Sequence, residues 1–135
     1  MEQYAVYELA DSIREEDAMK KQVVVVEDNP HIREMIEYIL EDHEIEVVSF
    51  GNARNFLSAS AHIHADLYLL DIMLPDGNGI ELCKELKAQE TTRDKPVIMM
   101  SAHADQLHSE CGAEDFIAKP FDIENLVARI ERHMQ

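Results

Sequence analysis

The sequence predicts an α/β fold, a doubly wound sheet of five parallel strands with helices on both faces. Short apolar runs rich in β-branched residues recur along the chain, and stretches with helical apolar spacing separate them. The length of 135 residues is enough for one domain with its own core. Because a strand, a helix and a second strand normally form a right-handed crossover between parallel strands, this alternation predicts one open sheet.

The predicted strands are the runs at 23–26, 46–50, 67–70, 97–100 and 116–118. The first predicted helix follows Asn29 and Pro30, which are favoured at the N-cap and at the first helical position. Its apolar residues fall at positions 32, 35, 36, 39 and 40, the spacing of an amphipathic helix. The other helices are predicted at about 52–61, 80–89, 105–111 and 122–133.

Residues 1–21 are predicted to be an appendage, and the domain is predicted to span 22–135. A weak helical stripe of apolar residues runs through the first part of the appendage, at Tyr4, Tyr7, Ala10 and Ile13. Two interpretations stay open, a loose tail and a helix that docks on the domain or on a partner. The first residues lack a basic leader followed by an apolar core, so they do not resemble a signal peptide.

The composition excludes several classes of function. Asp and Glu total 28 against 12 Lys and Arg, a net charge of −16, and such a surface repels phosphate backbones and anionic lipids. We therefore expect no direct binding to nucleic acid or membrane. No apolar run approaches the roughly 20 residues that span a bilayer. Cys83 and Cys111 form no short-range pairing motif, which favours a reducing, cytoplasmic location.

Polar side chains stand at the ends of four predicted strands. Glu27 and Asp28 end the first strand and Asp71 ends the third, while Ser101 and Lys119 end the fourth and fifth. Because parallel strands bring their carboxyl ends to one edge, where such folds bind ligands, these groups are predicted to converge.

Three carboxylates at close range repel one another unless a cation joins them, and an all-oxygen set favours Mg²⁺. Asp28 and Asp71 are the predicted direct ligands, with Glu27 acting through water. A carboxylate can also be a nucleophile that forms an acyl phosphate, which makes Asp71 the candidate phosphoacceptor. Lys119 would supply positive charge to the phosphoryl oxygens, and Ser101 a hydrogen bond.

Four segments together resemble the receiver domain of bacterial two-component response regulators, of the chemotaxis type. The resemblance begins at Gln22 and runs to the C-terminus. Its motifs are the acidic pair after the first strand, Leu-Leu-Asp-Ile-Met-Leu-Pro-Asp-Gly-Asn-Gly at 69–79, Met-Met-Ser-Ala at 99–102 and Asp-Phe-Ile-Ala-Lys-Pro-Phe at 115–121.

The resemblance implies the strand order 2-1-3-4-5 and a cis bond between Lys119 and Pro120. It implies that a histidine kinase or phosphotransfer protein phosphorylates Asp71, and that the protein acts on no other substrate. The backbone carbonyl of Met73 would join the Mg²⁺ ligands. Ser101 and Phe116 would be the switch pair that alters a surface read by a downstream partner, by population shift between two packings.

The chain departs from the family pattern in two ways. Ser101 and Lys119 are only 18 positions apart, about four fewer than usual, or roughly one helical turn, so a shortened fourth helix is expected. This puts in doubt an output through the face that this helix forms with the fifth strand and the last helix. Phe116 also lacks a tyrosine hydroxyl. Met73 and His103 flank the site, and we hypothesise that Met73 shields the acyl phosphate from water.

Several alternatives stay open at this point. A Mg²⁺-dependent phosphohydrolase would also use an aspartyl phosphate, but it typically needs a proton-transferring Asp at the position of Met73. A scaffold that works without phosphorylation is a third possibility, against which the intact site residues argue. Phe116 could be a plain core aromatic, and His62 and His64 are expected to be exposed loop residues. No output domain follows position 135, so the chain is a free-standing receiver or a fragment.

Overall fold

The computed structural model describes residues 20–103 and 111–135. Five parallel strands form the sheet, in the order β2-β1-β3-β4-β5. The strands are β1 (Gln22–Val26), β2 (Glu46–Phe50), β3 (Leu67–Asp71), β4 (Val97–Ser101) and β5 (Asp115–Ala118). The predicted fold class and strand order are confirmed. The strands β3 and β4 each end one residue later than predicted, at Asp71 and Ser101, so both residues are paired within the sheet.

Four helices pack on the sheet in the described part of the chain. They are α1 (Pro30–Asp42), α2 (Ala53–Ala59), α3 (Gly79–Ala88) and the C-terminal helix (Ile123–His133). As predicted, Asn29 caps α1, because its Oδ1 accepts hydrogen bonds from the N–H groups of residues 31 and 32. The second helix ends at Ala59 and continues as a 3-10 turn over Ser60–His62. His62 and His64 are both exposed, as expected.

Each face of the sheet has its own hydrophobic core. Val24 and Val26 point to one face and Val23 and Val25 to the other, the two-residue period of a strand. The first core includes α2 and α3, and the second includes α1 and the C-terminal helix. Each fully buried Leu, Ile or Phe stabilises the fold by roughly 2 kcal/mol relative to exposure. Packing on both faces therefore fixes the position of the sheet and of the polar residues at the ends of its strands.

Two sequence predictions fall outside the described residues. These are the helical stripe within the predicted appendage and most of the short fourth helix around 105–111. The division at residue 22 stays a prediction. Within the described ranges no helix combines the length and the apolar character needed to cross a membrane. The peptide bond between Lys119 and Pro120 is cis, as the resemblance implied.

Candidate functional site

The carboxyl edge of the sheet gathers the polar residues predicted from the strand ends. Glu27 follows β1 directly, Asp71 is the last residue of β3, and Lys119 follows β5. Because β1 and β5 lie on either side of the β3–β4 pair, residues 92 positions apart in the sequence meet here. The structure thus brings Glu27, Asp28, Asp71 and Lys119 into one pocket.

Three carboxylates form the acidic wall of this pocket. Glu27, Asp28 and Asp71 each offer an oxygen, and these atoms lie within 4.8 Å of one another. Glu27 is fully buried and Asp71 is 4% exposed, whereas Asp28 faces solvent. The pocket is thus built on a buried base with one open side, through which a cation or a phosphoryl donor can enter.

Lys119 provides the positive charge that holds two of these acids. Its Nζ donates a hydrogen bond to Asp71 Oδ2 at 3.0 Å and a short one to Glu27 Oε1. The second oxygen of Glu27 accepts from the backbone N–H of Asn29 at 3.0 Å. With all carboxylates ionised, three negative charges and one ammonium leave −2, the charge that one divalent cation balances.

The pKa values in the pocket reflect burial and this pairing. Burial raises the pKa of Glu27 to about 7, against the lowering effect of its hydrogen bonds from Lys119 and Asn29. Burial alone would lower the pKa of Lys119, but its bonds to Glu27 and Asp71 outweigh this and raise it. Lys119 is therefore a firmly protonated ammonium group at neutral pH.

Ser101 and Phe116 lie on the neighbouring strands β4 and β5. Ser101 is fully buried at the end of β4, and its Oγ accepts from the His103 N–H at 2.9 Å and lies 3.1 Å from the His103 carbonyl, to which it donates. Phe116 is half-buried and packs against the first core, and its carbonyl accepts from Arg129 at 2.8 Å. Ser101 therefore lies at the carboxyl edge and Phe116 within β5, and their predicted switching stays a prediction.

A small hairpin joins β3 to α3 at the mouth of the pocket. Residues Met73–Leu74 pair antiparallel with Gly77–Asn78. The Met73 N–H donates to Asp71 Oδ1 at 3.3 Å, and the Met73 side chain is 54% exposed. Gly79 lies so close to β3 that a Cβ there would stand 2.1 Å from the Asp71 carbonyl oxygen, which only glycine avoids. Gly79 thus permits a close approach of the chain to the Asp71 backbone.

Two residues that support the site were not identified from the sequence. Arg33 on α1 donates to the Glu27 carbonyl at 2.8 Å and so joins that helix to the end of β1. Asp76 at the hairpin tip accepts from the backbone N–H groups of Ala53 and Arg54. Both contacts join residues of different elements, and no short-range pattern in the sequence indicates them.

The residues of the pocket fit a magnesium ion. All of the clustered donors are hard carboxylate oxygens, the ligand class that Mg²⁺ prefers over softer sets. Burial raises the pKa of Glu27 because it removes water from the carboxylate, and a bound cation would stabilise the ionised form. The acidic cluster could therefore hold a divalent metal between Asp28 and Asp71.

Comparison with known proteins defines the class of this chain. The family model described as the response regulator receiver domain matches residues 23–131. The chain belongs to this family, the phosphoryl-accepting domains of two-component signalling, and the resemblance drawn from the four sequence motifs is confirmed.

Its relatives include two full regulators. The phosphate regulon transcriptional regulatory protein PhoB of Escherichia coli (strain K12) is 39% identical over 121 residues, which are 87% of this chain and 53% of PhoB. The DNA-binding response regulator MtrA of Mycolicibacterium smegmatis is 34% identical over 123 residues, 88% of this chain and 53% of MtrA. The chain thus spans about half the length of these curated relatives.

Solved structures show the same fold. The signal receiver domain of a signal transduction histidine kinase from Syntrophus aciditrophicus superposes with a TM-score of 0.79 at 30% identity, over 84% of this chain and 89% of that one. The receiver domain of the sensor histidine kinase PA1611 from Pseudomonas aeruginosa PAO1 has a TM-score of 0.75 at 26% identity, over 85% and 98%. That structure has a magnesium ion coordinated in its active site cleft.

Proposed function

We propose that this chain is a phosphorylation-dependent switch of a cytoplasmic two-component phosphorelay, with Asp71 as the phosphoacceptor. One observation carries the proposal: the Asp71 carboxylate shares a pocket with two other carboxylates and is hydrogen-bonded to the Lys119 ammonium. Each oxygen of Asp71 has a distinct neighbour, Lys119 Nζ at Oδ2 and the Met73 N–H at Oδ1. The carboxylate is therefore held in a fixed orientation on the buried floor of an open pocket.

The donor would be a phosphohistidine of a sensor kinase or of a phosphotransfer protein. An Asp71 oxygen attacks phosphorus, the P–O bond forms as the P–N bond breaks, and the leaving imidazole takes a proton. Mg²⁺, held by Asp28, Asp71 and the Met73 carbonyl, with Glu27 acting through water, would neutralise charge on the phosphoryl oxygens. Lys119 places its ammonium beside the same carboxylate. No other substrate is proposed, so the chemistry is limited to self-phosphorylation and self-dephosphorylation.

The output would be a change in a partner-binding surface. Ser101 and Phe116 are proposed as the switch pair, because Ser101 closes β4 at the pocket and Phe116 lies on the adjacent β5. A phosphoryl group on Asp71 would compete with the His103 backbone for the Ser101 hydroxyl. Release of that turn and a shift of the ring would then carry the signal to the surface. We expect the surface of this strongly acidic chain to bind a protein rather than a nucleic acid.

Intact mass measurement after incubation with acetyl phosphate or a phosphoramidate and Mg²⁺ tests the proposal. We expect a gain of one phosphoryl group that Asp71→Asn abolishes. Asp66→Asn is the matched control, because Asp66 precedes the same strand at its opposite end and accepts from the Gln22 N–H. Phosphorylation that persists in Asp71→Asn, or that fails in the wild-type chain under these conditions, would contradict the proposal.

A further inference from the structure

The hairpin that follows Asp71 is an exposed structure with an unusual anchor at its tip. Residues 75 to 78 are all exposed, and the hairpin pairs only two residues on each side. Two-residue strands do not hold their geometry by themselves in water. The contacts that this hairpin makes with the rest of the domain therefore decide how firmly Met73, its first residue, is placed.

Asp76 makes the contact that joins the hairpin tip to α2. Its Oδ1 accepts from the Ala53 N–H at 2.8 Å and its Oδ2 accepts from the Arg54 N–H at 3.0 Å. These are the first two residues of α2, whose N–H groups have no partner within the helix. The two bonds lower the pKa of Asp76, so the carboxylate is ionised at neutral pH. A Cβ on Gly77 would lie 3.5 Å from the Ala53 Cβ, which shows the tip seated against the helix.

Asn52 satisfies the next N–H group of the same helix. Its Oδ1 accepts from the Asn55 N–H at 2.8 Å. The first turn of α2 thus has one partner from the adjacent residue and one from a loop 22 or 23 positions away. Of these two caps, Asp76 belongs to the hairpin and Asn52 does not, so the two caps have separable roles.

At its other end the hairpin is part of the pocket. The Met73 N–H donates to Asp71 Oδ1, and the Gly79 N–H donates to the Ile72 carbonyl at 2.8 Å. The hairpin is therefore fixed at its base by β3 and at its tip by Asp76. Loss of the tip contact removes one of these two anchors, and the backbone of Met73 would then sample more orientations.

We propose that Asp76 is a positioning residue for the metal and phosphoacceptor site, which holds the Met73 backbone in place by clamping the hairpin to the N-terminus of α2. This inference rests on the proposed function, in which the Met73 carbonyl is a ligand of Mg²⁺. Asp76 is not part of the cluster of Glu27, Asp28 and Asp71. Its effect passes through the hairpin, in the way that outer residues orient direct ligands at metal sites.

Three variants of the full chain separate this role from general stability and from charge. Asp76→Ala removes both hydrogen bonds and one negative charge. Asp76→Asn removes the same charge but keeps one acceptor oxygen. Asn52→Ala removes the other cap of α2 and leaves the hairpin contact intact. For each variant we would measure the dissociation constant for Mg²⁺ by calorimetry, the hydrogen exchange rate of the Met73 amide, and Tm.

We expect Asp76→Ala to weaken Mg²⁺ binding on the order of tenfold, the lower end for residues that orient metal ligands. Exchange at Met73 should speed up in the same variant, and Asp76→Asn should recover a substantial part of both losses. Asn52→Ala should lower Tm and leave the Mg²⁺ affinity at the wild-type value.

Equal loss of Mg²⁺ affinity in Asn52→Ala and Asp76→Ala would overturn the inference, because a general weakening of α2 would then explain it. Equal loss in Asp76→Asn and Asp76→Ala would overturn it too, because charge alone would suffice. Failure of the wild-type chain to bind Mg²⁺ would contradict the proposed function instead, and the exchange rate of Met73 would still test the clamp.

Discussion

At the carboxyl edge of the sheet, Glu27 and Asp71 share the ammonium group of Lys119, with Asp28 beside them. At the amino edge the balance is reversed. The Asp115 carboxylate contacts Arg129 at 3.0 Å, Arg132 at 3.4 Å and His133 at 3.1 Å. Carboxylates thus outnumber the ammonium group at one edge, whereas two guanidinium groups contact a single carboxylate at the other.

A second network at the amino edge follows the same rule. Lys87 Nζ donates to both oxygens of Glu114 at 2.8 Å and to the carbonyls of Arg93 and Lys95. Glu114 also accepts from the Val97 N–H at 2.7 Å. These bonds join the last turn of α3 to the segment before β4 and to Glu114 before β5, so each of these charged groups already has partners. The paired charges of the amino edge stabilise the fold. The carboxyl edge keeps an excess of negative charge, so it can bind a cation and present a reactive carboxylate.

The largest expected effect comes from removing the ammonium group at the carboxyl edge. Lys119→Met should slow phosphorylation of Asp71 by acetyl phosphate roughly 100-fold, as expected when one preorganised charged donor is lost. Mg²⁺ binding should persist, because the carboxylates remain. The rate of phosphorylation, measured by intact mass over time, checks this. Lys87→Met is the matched control, and an equal slowing in both variants would remove the distinction between the edges.

The same control substitution should affect stability. Lys87→Met should lower the free energy of unfolding by about 2 kcal/mol, because several acceptors lose a charged donor. The side chain of Lys87 is only 16% exposed, so water cannot fully replace these bonds. Urea denaturation measures the difference. A phosphorylation rate that falls while the stability is unchanged would place Lys87 in the site rather than in the scaffold.

Asp115 should make stability depend on pH. Burial alone would raise the pKa of this carboxyl, but bonds from the Phe116 N–H and His133, with the charge of Arg129, lower it overall. A lowered folded-state pKa stabilises the fold above the unfolded value of about 4, and the contribution disappears as the pH falls through the folded value. Asp115→Asn should therefore cost about 1 kcal/mol at neutral pH, a modest figure because solvent screens the cluster.

Denaturation of wild type and Asp115→Asn at a series of pH values measures this difference. The difference should shrink as the pH falls below about 4. A difference that widened below about pH 4 would contradict the lowered pKa of the Asp115 carboxyl.

The smallest expected effect concerns the exposed side chain beside the pocket. Met73→Asn should speed loss of the phosphoryl group by less than about tenfold, which corresponds to under roughly 1.4 kcal/mol in the barrier. The reason is that a bulky apolar side chain keeps attacking water away from the acyl phosphate. Leu57→Asn is the control, because Leu57 is similarly exposed, at 45% against 54%, but lies on α2. A dephosphorylation rate identical in Met73→Asn and wild type would end this hypothesis.

The sequence was most informative where the signal is local or periodic. The run of four valines at 23–26 alternates between two cores, and Asn29 caps α1 from its position next to the helix. The candidate site was also accessible, because Asp71 and Lys119 stand at the ends of apolar runs and parallel strands share an edge. These features depend on neighbours within a few residues and on one general rule of topology.

Contacts between distant elements were not accessible in the same way. The clamp from Asp76 to α2, the bond from Arg33 to the Glu27 carbonyl and the network around Lys87 join atoms whose approach depends on the finished packing. Asp76 follows a proline in a turn, where an aspartate is ordinary without any partner. The sequence around Asp76 therefore predicts a turn and does not indicate a contact with α2.

The amino-acid order alone determined which residues form strands and helices, and which ionisable groups stand at the strand ends, because hydrophobic period and strand polarity are local properties. The tertiary structure alone decided how the charges are divided, with Lys119 between Glu27 and Asp71, and Asp115 beside two guanidinium groups and the His133 ring. Electrostatic energy depends on distance and burial, and both exist only once the sheet and its two layers of helices are assembled.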